Sequence, residues 1–274
     1  MIAAGRCCGV ETLIDAINVT RRRVWAQQPD DFFACATIDL DGTLVDNFEA
    51  IHRCYDDVMS MMGLPSVTLE QIRRAVGGSV NVTVVKLAGE ANAPTATRLF
   101  REHFPSVMYH GLRAYPGCRE ILVGLRAKGV RVAVYTNKDD ANSKKIMEHL
   151  GLDDVVDAVY GTNVHPWRKP QAEFTHFVLS TLKADAARTV MVGDSPFDIS
   201  TARNGKLAAI HCVTTGSHTA EELAPYAPDT VHAGLPELGR RLWELLGVIR
   251  VYTKQPGQHP DYAKPFTLPA GSTV

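Results

Sequence analysis

Two aspartates stand two residues apart at the end of a short apolar run. The run at residues 35–38 is typical of a buried strand, and Asp39 and Asp41 follow it, with Gly42 next. Residues two apart in a strand face the same way, and glycine tolerates turn conformations, so we predict that the strand ends in a loop here. In such a loop, one carboxylate can bind a cation and act as a nucleophile while its neighbour transfers a proton. An ordinary Asx turn explains the same spacing, whereas the full calcium-loop series is absent.

Three further stretches carry side chains that suit phosphate or metal binding. Thr136 follows the apolar run at residues 130–135, Lys169 precedes a proline, and Asp194 comes off a predicted strand through a glycine. Each has an ordinary explanation alone: a turn threonine, a surface lysine, and a Ser-Pro-x-Asp helix start that ends at Asp198. Beside the first aspartate pair, however, a second carboxylate pair indicates coordination of Mg²⁺, which takes oxygen ligands.

These four stretches, in this order, resemble the motifs of the haloacid dehalogenase superfamily, a group dominated by magnesium-dependent phosphatases. The resemblance spans residues 34–246, and its first motif is Asp-x-Asp-Gly-Thr-Leu-Val-Asp, beginning at Asp39. The chain departs from the common family pattern at Ala172, where relatives carry a second proline after the lysine.

The resemblance implies a role for each matching residue. Asp39 would be the nucleophile that becomes an aspartyl phosphate, and Asp41 would protonate the leaving group and then help to activate water. Lys169 would bridge the phosphate and the nucleophilic carboxylate. The residues implied to hold phosphate are Gly42, Thr136, Asn137 and Lys169. The implied magnesium ligands are Asp39, the backbone carbonyl of Asp41, and Asp194, with Asp198 beside them or orienting Lys169.

Strands and helices alternate along most of the chain. Beyond the first strand, strands are predicted at residues 130–135, 155–160, 189–192 and 207–213, each separated from the next by a helical pattern. This alternation predicts an α/β fold, a Rossmann-like core with a doubly wound parallel sheet. Such sheets bind ligands at the carboxyl ends of their strands, where Asp39, Thr136 and Asp194 are predicted to lie.

An all-helical insertion, which we call the cap, interrupts the core after the first strand. Apolar residues at helical spacing and a capping box at Thr68 to Gln71 predict helices there. Two of them meet near a glycine pair, so Arg74, Gly78 and Ser79 are candidates for binding the substrate's leaving group. An ordinary helix end, with arginine favoured by the helix dipole, explains the same residues equally well.

We predict four segments. Residues 1–33 are an N-terminal extension with a partial helical pattern, residues 34–46 and 116–247 form the catalytic core, and residues 47–115 form the cap. Residues 248–274 contain four prolines and little periodicity, which predicts an extended or disordered tail.

The composition is that of an ordinary soluble protein. With 29 Lys plus Arg against 30 Asp plus Glu, nothing favours a nucleic-acid or anionic-membrane partner. No run approaches the roughly 18 apolar residues of a membrane helix. The six cysteines show no paired metal-ligand spacing, and the ten histidines include no His-x-x-x-His pair, so we predict a reducing, cytoplasmic location and no zinc site.

The resemblance implies a Mg²⁺-dependent phosphomonoester hydrolase that acts on a small phosphorylated metabolite. Among relatives, the chain is most similar to the phosphoglycolate phosphatase group. Asp41 argues against a dehalogenase, which lacks this second acid. A phosphomutase of the β-phosphoglucomutase type and a non-catalytic binding protein on the same scaffold remain alternatives. The physiological substrate and the oligomeric state are not indicated.

Overall fold

The computed structural model describes residues 33–245, 248–251 and 266–269. The helical segment that we predict before the first strand lies outside these residues. In chain order, the described strands are β1 Cys35–Ile38, β2 Val45–Asp46, β3 Arg113–Ala114, β4 Arg131–Asp139, β5 Ala158–Thr162, β6 Thr189–Gly193, β7 Ala209–Val213, β8 Thr230–His232, β9 Val248–Val251 and β10 Phe266–Pro269. The described α-helices are α1 Phe48–Met61, α2 Leu69–Ala75, α3 Val80–Ala88, α4 Ala93–Val107, α5 Cys118–Ala127, α6 Asp140–His149, α7 Ala172–Leu182, α8 Pro196–Asn204, α9 Ala220–Leu223 and α10 Leu235–Leu245.

Six strands form one sheet in the order β5-β4-β1-β6-β7-β8, and every pairing within it is parallel. One face packs against α7 and α8 through a buried cluster that includes Cys35, Phe174 and Ile199. Ala36 and Ile38 alternate with Cys35 along β1, point to the opposite face and are also buried. The sheet is therefore covered on both faces, as parallel sheets are, and the predicted α/β fold is confirmed.

Helices α1 to α4 form the helical cap around their own apolar core. Tyr55 on α1 stacks on Phe100 of α4 with ring centroids 4.3 Å apart, and Phe100 stacks on Phe104 at 5.2 Å. Helix α2 begins with the predicted capping box, since Thr68 and Gln71 each bond the other's backbone N–H. The short antiparallel ribbon of β2 and β3 brings the two ends of this insertion together.

Two predicted strand boundaries were wrong. The strand expected at residues 155–160 begins later, because residues 153–155 form a 3₁₀ turn and β5 starts at Ala158. Strand β7 likewise begins at Ala209 rather than at residue 207. The described parts of the tail, β9 and β10, pair as an antiparallel ribbon; Val248, Ile249 and Val251 in β9 are residues that favour strands. Within the described residues, no helix is long and apolar enough to cross a membrane.

Candidate active site

The carboxyl ends of three neighbouring strands converge on one point of the sheet edge. Strand β1 lies between β4 and β6, and Asp39 and Asp194 directly follow β1 and β6. The N–H of Asp39 continues the ladder by donating to the carbonyl of Val192 at 2.9 Å. We predicted that Thr136 follows strand β4, and this was wrong. Thr136 lies within β4, where the pairing with β5 is irregular between Tyr135 and Asp139.

Three buried carboxylates lie together at this point. Asp39, Asp194 and Asp198, which we call the acid cluster, each offer an oxygen within 4.8 Å of the others. Lys169 contacts two of them, with Nζ 2.8 Å from Oδ1 of Asp39 and 2.6 Å from Oδ1 of Asp198. Its side chain is 1% exposed, so the lysine is a buried part of the site and not a surface residue.

Asp194 is fixed by donors from two loops. Its Oδ1 accepts from the Thr43 hydroxyl at 3.2 Å, and its Oδ2 accepts from both the N–H and the hydroxyl of Ser217 at 2.7 Å. The loops approach so closely that a Cβ on Gly42 or Gly216 would lie 2.8 or 2.1 Å from Oδ2 of Asp194. Gly42 therefore serves close packing, and its φ of +84° also favours glycine.

Both oxygens of Asp198 have partners. Oδ1 accepts from Lys169 Nζ, while Oδ2 accepts from the N–H of Asp194 and from the N–H and hydroxyl of Ser195. Asp198 thus caps helix α8, as its place in the Ser-Pro-x-Asp stretch indicates, and also holds Lys169. From the sequence, helix capping and the orientation of Lys169 were separate explanations for Asp198, and in the structure it does both.

Burial dominates the electrostatics of the acid cluster. It raises the pKa of Asp39 to about 7, against the pull of Lys169 and with the help of the charges on Asp198 and Asp194. Burial and the charge of Asp198 raise the pKa of Asp194 to about 6. Burial alone would lower the pKa of Lys169, but the charges of Asp198 and Asp39 outweigh it and raise that pKa. The ionised forms of Asp39 and Asp194 are therefore disfavoured, because one lysine does not compensate three buried carboxylates.

Asn137 positions the backbone of Lys169. Its Oδ1 accepts from the Lys169 N–H at 2.8 Å, and its Nδ2 donates to the Lys169 carbonyl at 3.2 Å. The Thr136 hydroxyl accepts from the N–H of Lys138 at 3.2 Å, which is the turn role that the sequence left open. Ala172, where the chain departs from the family pattern, is the first residue of α7.

Asp41 has a partner that sequence reasoning missed. Lys138 Nζ lies 2.9 Å from Oδ2 of Asp41 and 4.4 Å from the ring centroid of Phe104 in the cap. Asn47 donates to Oδ1 of Asp41 at 3.3 Å. Lys138 could have been found as a site residue because it lies two residues after Thr136. Ser217, which binds Asp194, gave no comparable signal because it lies far along the chain and in no motif.

A cavity of about 330 Å³ lies between the core and the cap beside Asp41. Of the three cap residues that we predict to bind substrate, Gly78 and Ser79 line this cavity and Arg74 does not. Arg74 instead forms ion pairs with Glu70 on its own helix and with Glu222 of the core. Gly78 also serves packing, since a Cβ there would come 3.1 Å from the ring of Phe197.

The fold and the site together define a class: α/β enzymes with a helical cap above a carboxylate cluster at the strand ends. This chain belongs to the haloacid dehalogenase-like hydrolase family, whose model matches residues 37–212.

Individual relatives agree. The phosphoglycolate phosphatase of Agrobacterium fabrum is 31% identical over 218 residues, which are 77% of this chain and 93% of that protein. "Probable phosphatase IndB" of Dickeya dadantii is 32% identical over 204 residues, or 70% and 86% of the two chains. A haloacid dehalogenase-like family hydrolase from Streptococcus pneumoniae, 22% identical, superimposes with a TM-score of 0.70 over 77% of this chain and 99% of its own, which shows the fold. The predicted family and enzyme class, a phosphatase, are confirmed.

Proposed function

We propose that this chain hydrolyses a phosphomonoester in a Mg²⁺-dependent reaction through an aspartyl phosphate on Asp39. The observation that carries the proposal is the acid cluster around Lys169 at the ends of β1 and β6. The substrate is a small phosphorylated metabolite of the kind that phosphoglycolate phosphatases hydrolyse, as the names of the relatives suggest.

The charges of the site fit a divalent cation. When all three carboxylates are ionised, they exceed the charge of the one lysine by two, and the raised pKa values of Asp39 and Asp194 show that this excess is unfavourable without a cation. Oδ1 of Asp39 is buried and has no hydrogen-bond partner among the described residues, although Lys169 lies beside it. Asp39, Asp194 and the carbonyl of Asp41 would hold Mg²⁺, which favours oxygen ligands and keeps several waters. Bound there, the ion would neutralise charge on the phosphoryl group.

Asp198 is a poor candidate for a direct ligand in this arrangement. Its Oδ2 accepts three hydrogen bonds and its Oδ1 accepts from Lys169 at 2.6 Å, whereas Oδ1 of Asp194 has one partner among the described residues, the Thr43 hydroxyl at 3.2 Å. We therefore assign Asp198 to positioning Lys169, whose Nζ lies against both Asp39 and Asp198. A lysine held there can bind a phosphoryl oxygen next to the attacking carboxylate without a search through rotamers.

The remaining residues divide the site into a phosphate end and a leaving-group end. Asp39 attacks phosphorus, and Gly42, Thr136, Asn137 and Lys169 surround the place of the phosphoryl oxygens. Asp41 lines the cavity, whereas Asp39 and Lys169 do not. The position of Asp41 supports a role at the leaving-group end, where it would donate a proton to the departing oxygen and then take one from the attacking water.

The test is release of inorganic phosphate from a panel of small phosphomonoesters, with Mg²⁺ and with EDTA. We expect phosphate release only with Mg²⁺, and no release by Asp39→Asn, which is nearly isosteric but cannot attack. Asp153→Asn is the matched control, since Asp153 is exposed and outside the site. Near-normal turnover by Asp39→Asn would exclude the covalent mechanism. Isomerised phosphate esters without net phosphate release would indicate a mutase instead.

We also propose a cytoplasmic location. Cys35, Cys54, Cys118 and Cys212 are buried free thiols, which supports a reducing compartment. Fractionation of cells that express the native gene tests this, and recovery outside the cytoplasm would contradict it.

A further inference from the structure

The cavity beside Asp41 is larger than a two-carbon leaving group such as glycolate requires. Its volume is about 330 Å³, and pockets of roughly 300–1,000 Å³ hold drug-sized ligands. Asp41 and Asn137 line it, and Asn137 bonds the backbone of Lys169, whose Nζ lies in the acid cluster. Most of this space is available to the part of the substrate that leaves.

Apolar side chains line much of the cap side of this cavity, although polar and apolar surface contribute about equally to its lining as a whole. Ile51 and Tyr55 on α1 and Phe100 and Phe104 on α4 line it, and Trp167 faces it from the core. Apolar and aromatic walls favour a ligand that has apolar surface to bury. A leaving group made only of polar atoms would leave these walls unused.

The charged lining is not balanced. Arg101, Lys138 and Arg168 line the cavity against Asp41 and Asp139, which leaves one positive charge. Lys138 is already paired with Asp41 at 2.9 Å. The ion pairs within the described residues include neither arginine, so the uncompensated positive charge lies on the guanidinium groups.

Arg168 is the arginine that joins the core side of the cavity to the cap side. It immediately precedes Lys169, and its Nη1 lies 3.4 Å from the hydroxyl of Ser79 in the cap. The hydroxyl is neutral and leaves the charge of the guanidinium uncompensated. A planar guanidinium binds a carboxylate through two parallel hydrogen bonds.

We propose that the leaving group is larger than glycolate, with an apolar body against the cap wall and a single carboxylate paired with Arg168 beside Ser79. One carboxylate neutralises the one excess positive charge of the lining. The inference rests on the proposed phosphatase function and narrows its substrate class. It also replaces Arg74, which is paired elsewhere, as the specificity residue.

The first experiment measures kcat/KM for phenyl phosphate, 4-carboxyphenyl phosphate and phosphoglycolate. The two aryl esters differ only by the carboxylate. We expect the wild type to prefer 4-carboxyphenyl phosphate to both of the others. Arg168→Ala should lower the ratio of kcat/KM between the two aryl esters by about tenfold to a hundredfold, the loss of a charge-assisted hydrogen bond. Arg168→Lys keeps the charge without the two-pronged geometry and should restore part of the ratio.

Arg98→Ala is the matched control, because Arg98 is an exposed residue that pairs with Glu102 away from the cavity. It should leave the ratio unchanged. A wild-type preference for phosphoglycolate, or an Arg168→Ala ratio equal to that of the wild type, overturns the inference while phosphate release still supports the proposed function. No phosphate release from any of the three esters with Mg²⁺ overturns both.

A second variant tests the size of the leaving group separately from its charge. Val80 lines the cavity from the start of α3, and Val80→Phe would fill part of the space. We expect kcat/KM for 4-carboxyphenyl phosphate to fall at least tenfold more than that for phosphoglycolate. Thermal unfolding checks that the variant folds. Equal losses on both esters by a folded variant would contradict a leaving group that occupies this space.

Discussion

Replacing Lys169 with methionine tests the charge balance of the acid cluster. The lysine Nζ lies 2.8 Å from Asp39 and 2.6 Å from Asp198, and its side chain is 1% exposed. Methionine is an unbranched side chain that fills much of the same space without the charge. The variant would bury three carboxylates around an uncharged residue, so with all three ionised the excess negative charge would be three instead of two.

The expected loss of stability is large. Removing one partner of a buried ion pair costs about 3–5 kcal/mol, because the other charge stays buried without compensation. For a chain of this size, that corresponds to a fall in Tm of roughly 6–20 °C. Saturating Mg²⁺ should recover more stability in Lys169→Met than in the wild type, since the cation then neutralises a larger excess charge.

The assay is chemical denaturation in EDTA and again in Mg²⁺. Arg98→Met is the control, because Arg98 pairs with Glu102 at 2.8 Å and the two side chains are 60% and 59% exposed, and exposed pairs contribute less than about 1 kcal/mol. A free energy of unfolding of Lys169→Met in EDTA within about 1 kcal/mol of the wild-type value would refute this prediction, because that is near the limit expected for an exposed pair. Equal stabilisation of both proteins by Mg²⁺ would also refute it.

Three further predictions concern individual side chains. Asp194→Ala should raise the Mg²⁺ concentration needed for half-maximal activity steeply, and an unchanged metal titration would remove Asp194 from the ligands. Asp41→Asn should slow both formation and hydrolysis of the aspartyl phosphate in rapid-quench measurements; an effect on substrate affinity alone would exclude its acid-base role. Burial lowers the pKa of His211 from 6.5 to about 4, so the unfolded chain takes up this proton at a higher pH than the folded chain does. Stability should therefore fall as the pH drops from about 6.5 towards 4. The loss in the free energy of unfolding should approach about 3 kcal/mol across that range, and His211→Gln should not show it. Parallel curves of the free energy of unfolding against pH for the two proteins would contradict this.

Local sequence was sufficient to predict the fold class and to bring Asp39 and Asp194 to one edge of the sheet. The apolar run before Asp39 predicts a buried strand, and alternation with helices predicts that the strands are parallel. Because carboxyl ends of parallel strands meet at one edge, Asp39 and Asp194 had to lie near each other once β1 and β6 became neighbours. Capping chemistry likewise predicted the starts of α2 and α8, since it acts within four residues.

Only the tertiary structure decided the partners of these residues. Ser217 binds Asp194 across 23 residues, and Lys138 pairs with Asp41 across 97, separations over which no periodic pattern operates. Arg74 has the residue type of a ligand-binding group, but its contact with Glu222 depends on how the cap lies on the core. The uncompensated charge of Arg168 is likewise invisible in the sequence, because it depends on which carboxylates lie near the guanidinium after folding.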